Sequence, residues 1–318
     1  MQAPFPANTR VAPGSPRMIF LISTLEPLRI DGLPSWVAHY RALGVEHFLL
    51  TLQTEPDLPE AERDRERARF ASVLASQGIA NPNFLVAGYT ATALRQGHDA
   101  LQRKHVGASD WVVWADSDEY QLYPAPLVDL ASWAEKQRVN LFRGVMIDRV
   151  AADGRLPARD ERISIWQQFP IACFLPTRFG GGERQKITFA RGDLKLSNGN
   201  HYVRAGMLAQ TIGKWTQVHH FKWDATVLER LAFRLRPAFR EHSPNWIESQ
   251  RALDYFDAHG GRFDSDDLRP LDLPARDFVA WVGGGRQTEV MAPVEVRSGV
   301  IFTLQQTTVM QGQRRSRF

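Results

Sequence analysis

The sequence predicts an α/β protein built on a mainly parallel central sheet with helices on both faces. Three observations carry that expectation. Short apolar, β-rich runs alternate with helical patterns through the first half of the chain. One run, Trp111 to Ala115, is continuously apolar and gives way at once to Asp116, Asp118 and Glu119, as a buried strand does when it delivers acids to its carboxyl end. After Pro126 the alternation yields to shorter strand candidates, glycines and turn signals, which read as a second lobe completing the sheet and part of the site.

Taken in order, the first strand spans Met18 to Leu25. Leu33, Val37, Tyr40 and Leu43 recur at helical spacing, so Pro34 to Leu43 is a helix with its proline in the first turn and Gly44 as its stop. His47 to Leu52 is the second strand. Pro59 to Gln77 is a charged helix that buries Phe70, Val73 and Leu74 and turns its arginines and glutamates to solvent. Phe84 to Tyr89, Ala91 to Val106 and Trp111 to Ala115 are expected as strand, helix and strand, followed by a helix over Leu127 to Gln137 and a strand over Asn140 to Val150. Beyond Asp224 the pattern gives two helices, Ala225 to Arg236 and Asn245 to His259, before a glycine- and proline-punctuated tail without an assigned structure.

Composition narrows the function classes. With 318 residues, 43% hydrophobic and 23% charged, the chain has the profile of a soluble globular protein large enough for one sheet and an added lobe. Its 39 basic and 35 acidic residues leave a net charge of +4. That mild excess suits a small anionic ligand better than nucleic acid, which calls for a concentrated basic face. Arg314, Arg315 and Arg317 read as a solvated tail. The nine tryptophans and 18 phenylalanines lie mostly in apolar runs that read as core, not as a base-stacking platform. A single cysteine, Cys173, forbids an internal disulfide and fits a reducing, cytoplasmic compartment. Residues 1–17 carry Pro4, Pro6, Pro13 and Pro16 and no apolar run, so they read as a flexible leader and not as a signal peptide. No stretch approaches the roughly 20 apolar residues of a spanning helix, and membrane contact is expected to be peripheral at most.

The chemistry concentrates where the fourth strand ends. Alternation along a strand puts Asp116 and Asp118 on one side and Ser117 on the other, so both acids reach one hard divalent cation. Strand-end acids at this place in an open parallel sheet face the crevice where ligands bind. Gly180, Gly181 and Gly182, with Glu183 behind them, lack the order of a phosphate loop and read as a mobile loop.

Three segments, in order, resemble the GT-A glycosyltransferases of the family 92 and family 2-like groups. They are Pro34-Ser-Trp-Val-Ala-His39-Tyr40 through Gly44-Val45, then Asp116-Ser-Asp118-Glu119-Tyr120, and last Lys186-Ile187 with Gly199-Asn-His201 and Val218-His219-His220-Phe-Lys-Trp. The resemblance runs from about Ile19 to about Arg234. It implies a GT-A sheet, a nucleotide-sugar donor, Mn²⁺ or Mg²⁺ as cofactor, and hexose transfer from a UDP-sugar to a glycan or glycolipid hydroxyl, as in polysaccharide biosynthesis. On that footing residues 18–125 form the nucleotide-sugar-binding half, 126–240 the half that completes the acceptor and metal site, and 241–318 a helical extension and tail.

The same resemblance assigns roles. Asp118 coordinates the metal; Asp116 serves the metal through water or the ribose; His220 returns to the metal from late in the chain, since only one of the adjacent histidines can face the site. Thr24 and Glu26, at the end of the first strand, contact the nucleoside, where relatives carry Asn-Glu. Lys186 is a candidate diphosphate partner, and His39 and His201 are candidate ligand contacts. Gln53 departs from the Asp or Asn usual there, which leaves the base open. An inverting transfer needs a carboxylate base, for which Glu183 on its glycine-hinged loop is preferred over Asp224, itself equally suited to capping the next helix. Two other readings remain open: a nucleotidyltransferase acting on a sugar phosphate, though Ser23 to Ile30 lacks its glycine-rich loop, and a nucleic-acid-binding protein without enzymatic activity.

Overall fold

A computed structural model describes residues 17–173, 175, 179, 185–206, 216–241, 245–266 and 268, together with the backbone of 290–296 and 299–305. Most of the leader, the glycine run with Glu183, and Arg314, Arg315 and Arg317 lie outside the described residues.

The chain begins with strand β1 (Ile19–Leu25), helix α1 (Leu33–Ala42), β2 (His47–Thr54), α2 (Glu60–Ser76), β3 (Asn83–Val86), α3 (Ala91–His105) and β4 (Trp111–Trp114). Next come β5 (Glu119–Leu122), α4 (Leu127–Lys136), β6 (Leu141–Val150), the short α5 (Ile165–Gln168), β7 (Ile171–Cys173), β8 (Gln185–Arg191), β9 (Lys195–Leu196), β10 (Val203–Ala205) and β11 (Thr216–His220). The last described elements are α6 (Val227–Phe233), α7 (Pro237–Arg240), α8 (Trp246–Ala258) and an antiparallel hairpin, β12 (Val290–Val296) with β13 (Gly299–Gln305).

Nine strands form one sheet in the order β3-β2-β1-β4-β8-β6-β11-β5, with β7 beside β6. Strands β1, β2, β3 and β4 are parallel to one another, and β6 and β11 share their direction because β8 runs antiparallel to both β4 and β6. Six of this sheet's nine strands among the described residues therefore point one way, and the expected fold class, an α/β mainly parallel sheet flanked by helices, is what forms. The carboxyl ends of β1, β4, β6 and β11 meet the amino ends of β8 and β5 at a single edge.

Burial on both faces explains the unbroken apolar run. Trp111 and Val113 pack into one core with Trp36, Tyr40, Phe70 and Leu130 from α1, α2 and α4, while Val112 and Trp114 face another with Phe20, Ile22 and Leu101. A third core gathers α6 and α8 around Trp223, Phe256 and Phe263. Gly44 ends α1's loop at φ +99°, a conformation that favours glycine.

Four expectations are corrected. Strand β4 stops at Trp114, and residues 115–118 turn: Glu119 N–H donates to Asp116 O at 3.0 Å, and Asp116 N–H donates to the Glu119 carboxylate at 2.9 Å. Strand alternation therefore does not govern Asp116, Ser117 and Asp118. Glu119 opens a strand, β5, that pairs antiparallel with β11 and was hidden in the acidic cluster. The third strand is shorter than expected because it lies at the sheet's edge, where only β2 supports it. The helix expected over Ala225 to Arg236 is shorter, α6 alone, and beyond it Pro237 opens the separate α7.

Gly144 of β6 sits where the sheet has no room. A Cβ there would lie 2.5 Å from Thr216 Oγ1 and Val218 Cγ2 and 2.6 Å from Thr188 Cγ2. Gly144→Ala is expected to lower unfolding stability by about 1–3 kcal/mol, the usual cost of overpacking a tight interior; an unchanged urea midpoint would show that the strands can part without penalty.

Candidate functional site

Each functional side chain reaches the same sheet edge from a different element. Asp116 and Asp118 stand on the turn after β4, Thr24 and Glu26 at the end of β1, His220 at the end of β11, and Arg29 on the short helical turn Pro27–Arg29. Register explains the approach of His220 to its partners: it pairs with Asp148 of β6 on one side and Glu119 of β5 on the other.

Asp118 is the centre of a charge network. Its Oδ2 accepts from Arg29 at 3.2 Å and Arg230 at 3.4 Å, while Oδ1 faces His220 Nε2 at 3.5 Å. His220 Nδ1 lies 3.4 Å from Asp148 Oδ1, and Asp148 in turn accepts from Trp223 Nε1 and the Leu175 amide. Burial opposes charge on both partners. It is overcome: His220 and the two arginines hold the Asp118 carboxyl well below its usual range, and Asp118 and Asp148 carry the imidazole up to about 9. His219, its neighbour, faces the opposite way, its Nε2–H donating to Gln217 Oε1 at 2.8 Å against Trp166. Of the adjacent pair only His220 faces the acids.

A second unit lies behind the first. Lys186 is 2% exposed and donates to Asp116 at 2.7 Å and to both Glu119 oxygens at 2.8 and 2.9 Å. Burial and the neighbouring Asp116 push the Glu119 carboxyl up to about 7, and the two acids together raise the Lys186 ammonium against its own desolvation. Trp36 Nε1 and the Tyr40 hydroxyl both donate to the Glu119 carbonyl at 2.9 Å, so these aromatics of α1 serve the site's backbone as well as the core.

Two cavities open beside these groups. The polar one, about 210 Å³, is lined by Thr24, Glu26, Asp116, Asp118, His220 and the cations Arg29, Lys222, Arg230 and Arg234. The other, about 190 Å³, lies over the ends of β1 and β2 between Leu28, Gln53, Leu58 and Phe233. Thr24 shares a 2.9 Å hydrogen bond with His98, whose burial drives its imidazole down to about 4 and keeps it neutral.

The structure thus brings together Thr24, Glu26, Asp116, Asp118 and His220. It does not bring in the others. His39 is bonded to the Gln121 carbonyl at 2.9 Å and packs on Tyr40 and Tyr120, away from both cavities. His201 holds the Gln185 carbonyl at 2.7 Å and likewise lines neither. Lys186 is committed to two carboxylates and has no charge to spare for a diphosphate. Asp224 does not cap α6, whose N-cap is Thr226; its Oδ1 accepts from the Thr226 amide and hydroxyl in the turn before the helix, and Oδ2 from Arg29 at 2.6 Å and Arg159 at 2.7 Å. Fully paired and 1% exposed, it is no base. Glu183 lies outside the described residues. Sequence reasoning missed Arg29, Asp148, Arg230 and Arg234; the one available signal was their type, charged residues at positions that the helical and strand patterns would otherwise bury.

Among the described residues no three His, Cys, Asp or Glu side chains are spaced to hold a cation by themselves. The donor set fits one that is shared. Asp118 Oδ1 and His220 Nε2 face each other at 3.5 Å with Asp148 at the other ring nitrogen, and a divalent cation entering between them would displace the proton that the two acids hold on the imidazole. Small hard cations are commonly bound by one or two carboxylates together with the phosphates of a substrate.

The chain matches no protein-family model and no curated protein. Among solved structures it is similar to Staphylococcus aureus TarS 1–349 in complex with UDP, at 9% identity and TM-score 0.29, covering 79% of this chain and 95% of that one. It is similar also to mannosyl-3-phosphoglycerate synthase from Rubrobacter xylanophilus, at 13% and 0.32 over 92% and 88%, and to a mycobacterial protein, at 13% and 0.30 over 91% and 83%. Likeness at these TM-scores carries no argument about chemistry, which has to come from the side chains. Among the described residues no helix is long and apolar enough to cross a membrane.

Removing the shared cation of the second unit strands two acids. Lys186→Met is expected to destabilise the fold by roughly 3–5 kcal/mol, the cost of breaking a buried ion pair from one side, and Lys186→Met/Glu119→Gln to recover part of it in thermal unfolding. No recovery in the double variant would mean that Glu119 is not what the ammonium compensates.

Proposed function

We propose that this chain is a metal-dependent glycosyltransferase that moves a hexose from a nucleotide-sugar donor, UDP-linked, to a hydroxyl of a glycan or glycolipid. One observation carries the reading. A single cavity at the carboxyl ends of parallel strands combines an acid–imidazole pair fit for a divalent cation, Asp118 with His220, and a set of cations fit for an anion, Arg29, Lys222 and Arg230. A diphosphate with its metal is the ligand that needs both at once.

Asp118 and His220 hold the cation, with Asp116 on the same turn supporting it. Bound Mn²⁺ or Mg²⁺ supplies positive charge against the negative charge that develops on the departing diphosphate. Thr24 and Glu26 offer hydroxyl and carboxylate contacts for the nucleoside at the end of β1. In the transfer the bond from the anomeric carbon to the diphosphate oxygen breaks while the acceptor oxygen bonds to that carbon and gives up its proton. Glu183 is the candidate to take that proton in an inverting reaction. Buried networks hold the acids in place before the donor arrives, which is what a preorganised site requires.

A thermal-shift series with UDP, GDP and CMP, each with and without Mn²⁺, tests the reading. Stabilisation by a nucleoside diphosphate that depends on Mn²⁺ is the expected result, and none by any of them would overturn it. Asp118→Asn is expected to abolish that stabilisation and donor turnover while the protein stays folded; undiminished turnover would remove Asp118 from the cation. His220→Ala should raise the Mn²⁺ requirement at least tenfold, whereas His219→Ala lowers the melting temperature without shifting Mn²⁺ dependence. Equal effects of the two on Mn²⁺ would retire His220 as a ligand.

A further inference from the structure

The two cavities meet, and of the residues that line their junction Tyr89 and Arg234 have no role in the reading above, while Arg230 is there only one of several cations. Glu26, Tyr89, Arg230 and Arg234 border both. Arg230 and Arg234 lie four residues apart at the end of α6, so they rise from one face of the helix one turn from each other. A ligand with its base over the ends of β1 and β2 and its reactive end at Asp118 has to lay its linking group across this junction.

The two arginines differ in what they hold. The Arg234 guanidinium makes no hydrogen bond or ion pair among the described residues, although it is only half exposed; its backbone N–H donates to the Arg230 carbonyl at 3.3 Å. Arg230 is anchored on one side, donating through Nη2 to the Lys222 carbonyl at 2.6 Å with Asp224 Oδ1 3.9 Å away, and on the other leans on Asp118 at a long 3.4 Å; its Nε is buried without a partner. Arg29 already satisfies Asp118 Oδ2 at 3.2 Å. The grip of Arg230 on Asp118 is therefore the weaker and the redundant one. A guanidinium with a spare buried donor, beside another with no partner, suits the bidentate recognition of phosphate oxygens.

We propose that Arg230 and Arg234 form a clamp for the diphosphate of a nucleoside diphosphate donor, and that Arg230 rests on Asp118 until a divalent cation takes that carboxylate. The clamp rests on the donor reading above. It deepens that reading by dividing the charge of the diphosphate between the cation on the sheet edge and two arginines on α6. It also makes metal and arginine competitors at one carboxylate before the nucleotide arrives and partners afterwards.

The experiment measures binding of UDP, uridine and Mn²⁺ to the full chain by calorimetry, with GDP and guanosine in parallel. Arg234→Met is expected to weaken diphosphate binding 10- to 100-fold and leave nucleoside binding within twofold, with Arg234→Lys in between. Arg230→Met is expected to weaken the diphosphate similarly yet bind Mn²⁺ alone several-fold more tightly than the parent, an opposite sign that a misfolded variant does not give. If the parent binds UDP or GDP with Mn²⁺ and Arg234→Met matches it, or loses the nucleoside to the same extent, the clamp is wrong and the donor reading stands. Unchanged or weaker Mn²⁺ binding by Arg230→Met, with the diphosphate effect intact, refutes the resting contact on Asp118. A parent that binds neither nucleoside diphosphate overturns both readings together.

Discussion

The arrangement of the site depends on one buried ammonium. Lys186 enters at the start of β8, the strand that runs against its neighbours, and its Nζ reaches both the turn after β4 and the first residue of β5. Without an internal cation, Asp116 and Glu119 would repel each other at the end of an apolar strand, and the tight turn between them would not hold. With it, Glu119 is free to accept the Asp116 amide, and Asp116 and Asp118 both line the cavity while Glu119 stays buried. Charge held inside the sheet thus decides which acids are presented outside it.

A second layer of ion pairs then ties this edge to the late helices. Arg29 bridges Asp118 and Asp224, and Arg159 shares Asp224, so the turn after β1, the turn after β4 and the start of α6 are fixed to one another by opposite charges. Such pairs add little net stability, because desolvation offsets most of the attraction. What they provide is position. Oriented groups that need not reorganise when a charged ligand arrives are the main means by which a polar cavity differs from water.

The fold was largely legible because its signals are cumulative. The run of Trp111 to Trp114 and the heptad-like spacing in α1 each reflect burial over several residues, and no single side chain decides them. Single-residue geometry was not legible in the same way. The acids after Trp114 read as an extended strand because the residue that bends them, Lys186, lies 70 positions on. Alternation says that only one of His219 and His220 faces the acids, a local fact, and the resemblance pointed to His220. His39 and His201 lie away from the cavities, which the sequence does not show because a histidine bonded to a backbone carbonyl looks there like one that binds a ligand. Arg29 and Arg230 owe their role to partners 89 and 112 residues away, distances over which no periodicity speaks.

Those distances also set the order in which the molecule can mature. Arg29 is joined to Asp224 across 195 residues, and α6 has to be in place before either cavity has its far wall. Contacts of such span form late and slowly, since the loop they close must be ordered before they reward it. On the ribosome, where chains emerge amino end first, the acids after β4 appear with Arg29 already made but well before Lys186 and Arg230, and for that interval the nascent chain carries a negative edge that is only partly compensated.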